Sequence, residues 1–455
     1  MARGKQSHSI FTALGAATGL GNALRFPSLC ALYGGGFVVA YIVCLALVCF
    51  PLLCAELYIG KRYAQSFQKS LSECSPRMSP LAYCAAINCA VIALYYGVIS
   101  AKIGGAFACL AAIGGVADLS GHWLIAVGAL SLFFAWLILR GKPSVMANTG
   151  RVAVLSSLSL FAVLCIAVIA RGGNALAIFC FAFSDLMHGG LWADALGQSL
   201  LALSLAGGVM PTFARSFKEG FAVAPTSAKI IAANLSGCIL AAVAALSLSL
   251  PVPGEGGVTL ALGLYPQVIA AAFSNPVLFR IFSALFFASL WLVAIQSTCS
   301  LFSPVISCAE ENHRKLAITF CCVLSLALIP LFAANGGAAM QAADRMACSV
   351  NAVIIAFLEA VIFLYPRNMP QLKGEIGVFP SLLLRSVCPL ACGALALFSA
   401  CGARFSSFPS YAVACAIISL ALVFSPFAVR FAQRLTKFAK RRIIEGRGGG
   451  DEGYA

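Results

Sequence analysis

With 455 residues, 61% of them hydrophobic, 10% charged and a mean hydropathy of +0.96, the chain is excluded from the water-soluble class. Its net charge of +15 invites a nucleic-acid reading, which the placement of that charge excludes, because the basic residues fall in alternate loops between apolar runs. Roughly twelve runs approach the ~20 residues that span a bilayer core: 9–32, 36–59, 80–115, 122–139, 152–170, 193–213, 228–250, 277–308, 316–334, 346–365, 380–401 and 409–430. The chain reads as an all-α polytopic membrane protein. Hydrophobic sequence returns again and again after the first run, so that run is not read as a cleavable signal.

The first run carries an unusual centre, Gly15-Ala16-Ala17-Thr18-Gly19-Leu20-Gly21-Asn22-Ala23-Leu24-Arg25-Phe26-Pro27. Each glycine costs a helix about 1 kcal/mol relative to alanine, and Pro27 is expected to end the helical pattern. A glycine-rich packing face with a kink would account for the glycines. Asn22 and Arg25 favour a broken helix instead, whose freed backbone groups line an enclosed cavity and hold an ion or small solute.

The second run closes with Glu56, an acid that is costly in lipid and should face the protein interior. Lys61, Arg62, Lys69 and Arg77 follow it. Tyr95 and Tyr96 lie in the third run, and Arg140 and Lys142 follow the fourth. The sixth run holds a second Gly- and Pro-interrupted stretch, Gln198 to Pro211, with Ser204, Gly207 and Gly208. A pair of interrupted segments in corresponding places is the best sequence pointer to a transporter's binding site. Lys218 follows the sixth run, Arg314 and Lys315 the eighth, and Arg367 and Lys373 the tenth, whereas 115–121 and 252–275 contain neither Lys nor Arg. This alternation puts both termini in the cytoplasm. The tail, with Arg430, Arg434, Lys437, Lys440, Arg441 and Arg442, suits anionic lipid headgroups.

Two classes of chemistry are disfavoured. The 20 cysteines show neither metal spacing nor a paired framework and read as small packing groups. No nucleophile–base pair is legible, and His8, His122, His188 and His313 fall at run ends and in loops, so the chain is not expected to be an enzyme.

The stretch "GLGNALRFPSLCALYGGGFVVAYIVCLALVCFPLLCAELYIGKR" resembles the opening of the neurotransmitter:sodium symporters, and the resemblance covers roughly the first ten runs. It implies a five-plus-five inverted repeat of the leucine-transporter type, with helices one and six unwound at the bilayer midplane. The whole of 1–455 would then be one membrane transport domain. Residues 8–171 would form the first repeat, 190–366 the second, and 375–445 two extra helices and the basic cytoplasmic tail.

The same resemblance implies the site. The amides of Leu20 and Gly21 and the hydroxyl of Tyr96 would hold a substrate carboxylate. Ser204 and the carbonyls of Ala17, Leu201 and Ala202 would meet its amino group. Gly19 stands where monoamine carriers of the family have an aspartate, which favours an amino acid as substrate. Ala16, Ile92, Leu201, Ser204, Gly207, Ser297 and Leu301 would surround its side chain. These walls carry no charge, which favours a neutral, apolar side chain, and Gly207 is expected to leave room.

Sodium takes oxygen ligands, by extension from the rule for hard cations. One sodium site would use the carbonyls of Ala17 and Ala202 with the amide oxygens of Asn22 and Asn234, completed by the substrate carboxylate. Ala202 replaces a hydroxyl residue there. A second sodium would use carbonyls of Gly15, Thr18 and Val293 and the hydroxyl of Ser297, with Gln296 in place of a threonine and Thr298 as a substitute ligand. Interhelical hydrogen bonding is the competing account of Gln296, Ser297 and Thr298. Tyr41 and Gln198 match chloride contacts, but Cys238 fits neither the chloride-dependent nor the chloride-independent pattern, so chloride is undecided. Arg25 would pair with Asp344 as an outer gate. Glu311 would serve an inner one, with Arg3 or Lys5 as its candidate partner. Glu359 is a further buried acid with no partner named from sequence.

The reading is therefore a sodium-coupled symporter of a neutral amino acid, at home in a plasma membrane and working by alternating access. A sodium-independent or proton-linked carrier using Glu56 or Glu359 is the first alternative. A transport-inactive amino-acid receptor signalling through the basic tail is the second.

Overall fold

Helices begin where the sequence supplies the chemistry for an N-terminus. Asn275 accepts hydrogen bonds from the amides of Val277 (2.9 Å) and Leu278 (3.3 Å), and Pro276 follows as the first helical residue. This is a cap and a starter that satisfy donors the helix cannot. Pro143 also stands at the start of a helix, there without a side-chain cap. The computed structural model describes residues 2–402 except 75–78, 117–120, 181, 183–185, 188, 218–219, 251–257 and 363–368. The twelfth run, the basic tail, Arg77, His188, Lys218 and Arg367 lie outside the described residues.

Among the described residues, nine helices are long and apolar enough to cross a membrane. They are α4 (Gly35–Tyr63), α5 (Ser79–Ile113), α6 (Gly121–Arg140), α7 (Pro143–Ala170), α10 (Val223–Leu246), α11 (Pro276–Cys308), α12 (Glu311–Ala333), α13 (Ala338–Ile362) and α14 (Val378–Ala396). Two further apolar runs are broken into shorter helices. The first consists of α1 (Ala2–Ala17), α2 (Leu20–Ala23) and α3 (Arg25–Tyr33). The second consists of α8 (Gly189–Ala202) and α9 (Val209–Ala214). The chain is thus a helical polytopic membrane protein. A shorter apolar helix, Leu262–Ala272, lies before α11 in the stretch 252–275 that has neither Lys nor Arg.

The long helices set the layering. At 1.5 Å per residue, α5 and α11 are each about 50 Å long, more than a bilayer core needs, and they pack along one another. The most apolar window of α5 is 78% buried against 33% for α6, so α5 lies in the centre and α6 presents its side chains outward. Two wide π-helical turns, Leu45–Cys49 within α4 and Arg345–Asn351 within α13, both pack against α8. Such turns often mark functional places in a helix. Every described cysteine is free, and most are buried.

Pro27 does not end a helix. It sits in the first turn of α3, and Pro211 sits in the first turn of α9. A proline lacks the N–H that a first turn leaves unpaired anyway. Each proline therefore restarts a helix after the break rather than causing it.

Candidate functional site

The first break lies at Thr18 and Gly19. Thr18 still donates to Leu14 through its amide (2.8 Å), but Gly19 is extended at φ −76°, ψ −174° and α2 starts anew at Leu20. The amides of Leu20 and Gly21 open that new helix and have no carbonyl four residues back within it. The second break, 203–208, is more contorted, with Ser204 (φ 52°), Ala206 (φ 59°) and Gly208 (φ 73°) all left-handed. Left-handed backbone costs a non-glycine residue about 1–2 kcal/mol, so neighbours must hold it. Glu56 does so, its Oε1 accepting from the Ala206 amide at 2.8 Å. Gly208 is needed twice over: its φ suits glycine, and a Cβ there would run into the Phe67 ring.

A small cavity of about 20 Å³ lies between the breaks, lined by Ala16, Gly19, Gly21, Tyr96, Leu201, Ala202, Ser204, Ser297, Ser300 and Leu301. It has room for about one water molecule, so an amino acid enters only if the walls separate. One wall is closed by a polar contact: Ser204 Oγ donates to the Ala16 carbonyl at 3.2 Å and ties the second break to the end of α1. Of the residues expected around a substrate, Ala16, Gly21, Tyr96, Leu201, Ser204, Ser297 and Leu301 line this cavity; Ala17, Leu20, Ile92 and Gly207 do not. The room expected at Gly207 is already filled, because a Cβ on it would collide with Cys89 Sγ. Ser300 was not anticipated. Its spacing with Ser297 and Leu301, one turn along a single face of α11, was the available signal.

Beside the cavity two carboxamides meet a carbonyl. Asn234 Nδ2 donates to the Ala17 carbonyl (2.7 Å) and to Asn22 Oδ1 (3.2 Å). Asn22 Nδ2 lies 3.3 Å from the carbonyls of Ala17 and Asn234. Tyr41 donates to Asn234 Oδ1 at 2.7 Å. Asn22 and Asn234 are both buried. Ala17 O, Asn22 Oδ1 and the Asn234 amide form a cluster of hard, neutral donors with no cationic side chain in it. A half-turn of the Asn234 amide would present its oxygen to the other two. This donor set fits a sodium ion, with Ala202 on the adjoining cavity wall.

The residues named for a second sodium are arranged differently. Ser297 Oγ is buried without a hydrogen-bond partner and faces the cavity. Thr298 donates back to Ala294 in its own helix (2.9 Å). Gln296 turns away to α7, where its Oε1 accepts from Thr149 Oγ1 at 3.0 Å. At the position considered for chloride, Gln198 Nε2 donates to the Gly21 carbonyl (3.0 Å), and Cys238 Sγ is 3.5 Å from the Tyr41 hydroxyl.

Arg25 and Asp344 approach to 3.7 Å, with side chains 16% and 34% exposed. Arg25 Nη2 donates to Ser349 Oγ (3.0 Å), and Tyr95 donates to Asp344 Oδ1 (2.7 Å). Glu311 is exposed and lies within electrostatic reach of Arg215. Partial burial and the nearby Arg314 lower the affinity of Arg215 for its proton, while Glu311 opposes them. The side chains of Arg3 and Lys5 lie outside the described ones. Glu359 finds its neighbour in Glu56. The two carboxyls abut, and both side chains are buried at 4% and 2% exposure.

Known proteins resemble this chain in sequence and in fold. The family model "Sodium:neurotransmitter symporter family" matches residues 3–111. The mouse sodium- and chloride-dependent transporter XTRP3A is 39% identical over 93 residues, which are 20% of this chain and 16% of that protein. The chain thus aligns with about a sixth of that relative's length. An uncharacterized sodium-dependent transporter of Methanocaldococcus jannaschii is 23% identical over 467 aligned positions, covering 92% of this chain and 94% of the relative. A rat sodium-dependent neutral amino acid transporter, B(0)AT2, is 34% identical over 91 residues, 20% of this chain and 12% of that one. The crystal structure of MhsT in complex with L-phenylalanine superposes with a TM-score of 0.77 at 21% identity, covering 86% of this chain and 98% of MhsT. Family and fold are those of transporters rather than enzymes. Over residues 3–111 the chain is similar to the sodium:neurotransmitter symporter family, and it shares the fold of MhsT.

Proposed function

We propose that the chain is a sodium-coupled symporter of a neutral, apolar amino acid, working by alternating access in a plasma membrane with both termini cytoplasmic. The observation that carries this reading is the cavity between two broken helices, flanked by the oxygen cluster of Ala17, Asn22 and Asn234. The likeness to a neutral amino acid transporter, B(0)AT2, and to MhsT, whose structure holds L-phenylalanine, supports an amino-acid substrate. In this reading, 8–171 and 190–366 form the two inverted repeats, and each contributes one break to the cavity. Gly21, Leu20 and Tyr96 hold the substrate carboxylate, and Ser204 exchanges its bond to Ala16 for the ammonium group. Sodium, when bound beside them, supplies positive charge to that carboxylate, which makes ion and substrate affinities reciprocal. Arg25 and Asp344 close the outer side, and Glu311 with Arg215 serves the inner one.

The abutting acids Glu56 and Glu359 favour a second reading, in which a proton is carried as well as or instead of sodium. With one proton held between them, a hydrogen bond joins α4 to α13, and Glu56 also holds the second break.

Thermal melts of the purified protein against a panel of neutral amino acids test the reading. A ligand at 100 times its Kd adds about 2.7 kcal/mol to stability. Tyr96→Phe keeps the ring and removes one hydrogen bond to a charged group, so it should weaken binding about 10-fold or more while melting normally without ligand. The proposal fails if no amino acid raises the melting temperature. Equal affinity in Tyr96→Phe would remove that hydroxyl from the site.

A further inference from the structure

Gln296 is fully buried on α11, and its long side chain reaches a seam between two other helices. There α1 and α7 meet backbone to backbone: a Cβ on Gly15 would lie 3.0 Å from the Cα of Gly150. The Gln296 carboxamide fills the remainder of that seam. Its Nε2 would be 3.5 Å from a Cβ on Gly15 and 3.1 Å from one on Gly150. Its Oε1 accepts from Thr149 Oγ1 at 3.0 Å, and its Nε2 donates to the Met146 carbonyl at 3.4 Å.

A hydroxyl side chain at 296 would keep its oxygen one bond beyond Cβ, on the α11 side of the seam. Glutamine carries its oxygen two atoms further, to α7, and engages it there with a donor. It also places an N–H₂ group, which carries partial positive charge, over Gly15. The other donors that the resemblance implies there are the carbonyls of Gly15, Thr18 and Val293 and the hydroxyl of Ser297. That hydroxyl belongs equally to the cavity wall. A set that has lost the oxygen at 296 to α7 and has an amide N–H₂ held against it does not fit a hard cation, which takes oxygen ligands.

We propose that Gln296 is a built-in polar strut in place of a second cation. It ties α11 to α7 and packs on α1, so this chain takes one sodium ion per cycle. This rests on the sodium-coupled reading above. The measurement is equilibrium binding of 22Na+ to the detergent-purified protein, with saturating amino acid. Wild type should bind one ion per chain, and Gln296→Thr, which returns a short hydroxyl and releases Thr149, should bind one more than wild type. Thr149→Val, which loosens the strut without adding a ligand, should bind the same number as wild type. Two ions on wild type would overturn the inference, even if Gln296→Thr failed to fold. No added ion on a folded Gln296→Thr would overturn it as well. No ion on wild type would sink sodium coupling itself, while a gain of one in Gln296→Thr would still uphold the strut.

Discussion

Asn234→Ala should abolish sodium-dependent uptake at ordinary sodium concentrations. The Asn234 amide is the junction of the oxygen cluster: Nδ2 reaches Ala17 and Asn22, and Oδ1 takes the Tyr41 proton. Truncation removes one oxygen from the cation site and leaves the Tyr41 hydroxyl, itself fully buried, with only the weakly polar Cys238 Sγ at 3.5 Å. A buried polar group left unpaired costs about 1–3 kcal/mol. Loss of a direct ligand at about 2.7 kcal/mol corresponds to a 100-fold rise in the sodium concentration for half-maximal binding. Sodium titration of the purified variant measures this, and an unchanged midpoint would remove Asn234 from the site. Asn234→Ala should also melt lower than wild type, because Tyr41 packs edge-on against Phe26 at the start of α3.

Glu56→Ala should give the largest loss of stability of any single change at the site. Glu56 does two things at once: it holds the amide of left-handed Ala206, and it lies against Glu359. Truncation orphans the Ala206 N–H, strands a buried acid and opens a cavity at a fully packed place. Together these should cost about 3–5 kcal/mol. Glu56→Gln separates the causes. Its Oε1 still accepts from Ala206 and its N–H₂ can donate to Glu359, so it should melt within about 1 kcal/mol of wild type. Melting curves of the two variants check this. If Glu56→Ala melted like wild type, the anchoring of the second break by Glu56 would be contradicted.

Local chemistry made much of this legible in sequence. The glycines at 15, 19 and 21 and the Gly207–Gly208 pair located both breaks, because glycine and exposed backbone are costly in a spanning helix wherever the chain does not use them. Glu56 was legible as an interior group because a carboxyl in an apolar run has nowhere else to go. What stayed hidden depends on distant partners. Pro27 and Pro211 look like helix terminators until the residue at which each helix restarts is known. Gly207 looks like room until Cys89, far away in sequence on α5, is found occupying it. Glu359 had no nameable partner because Glu56 lies on another helix, and only packing joins them. Gln296 was legible as a departure from the family pattern. Its direction was not, since a four-bond side chain can turn toward α1 or α7, and the choice is made by Thr149 and by two facing glycines.

Uptake into proteoliposomes tests the central claim most directly. Labelled neutral amino acids are offered outside vesicles holding the purified protein, with an inward sodium gradient or a matched potassium gradient. Uphill accumulation with sodium, and none with potassium, is the predicted result. Equal uptake under both gradients would contradict sodium coupling, and the Glu56–Glu359 pair with a proton gradient would then become the leading account.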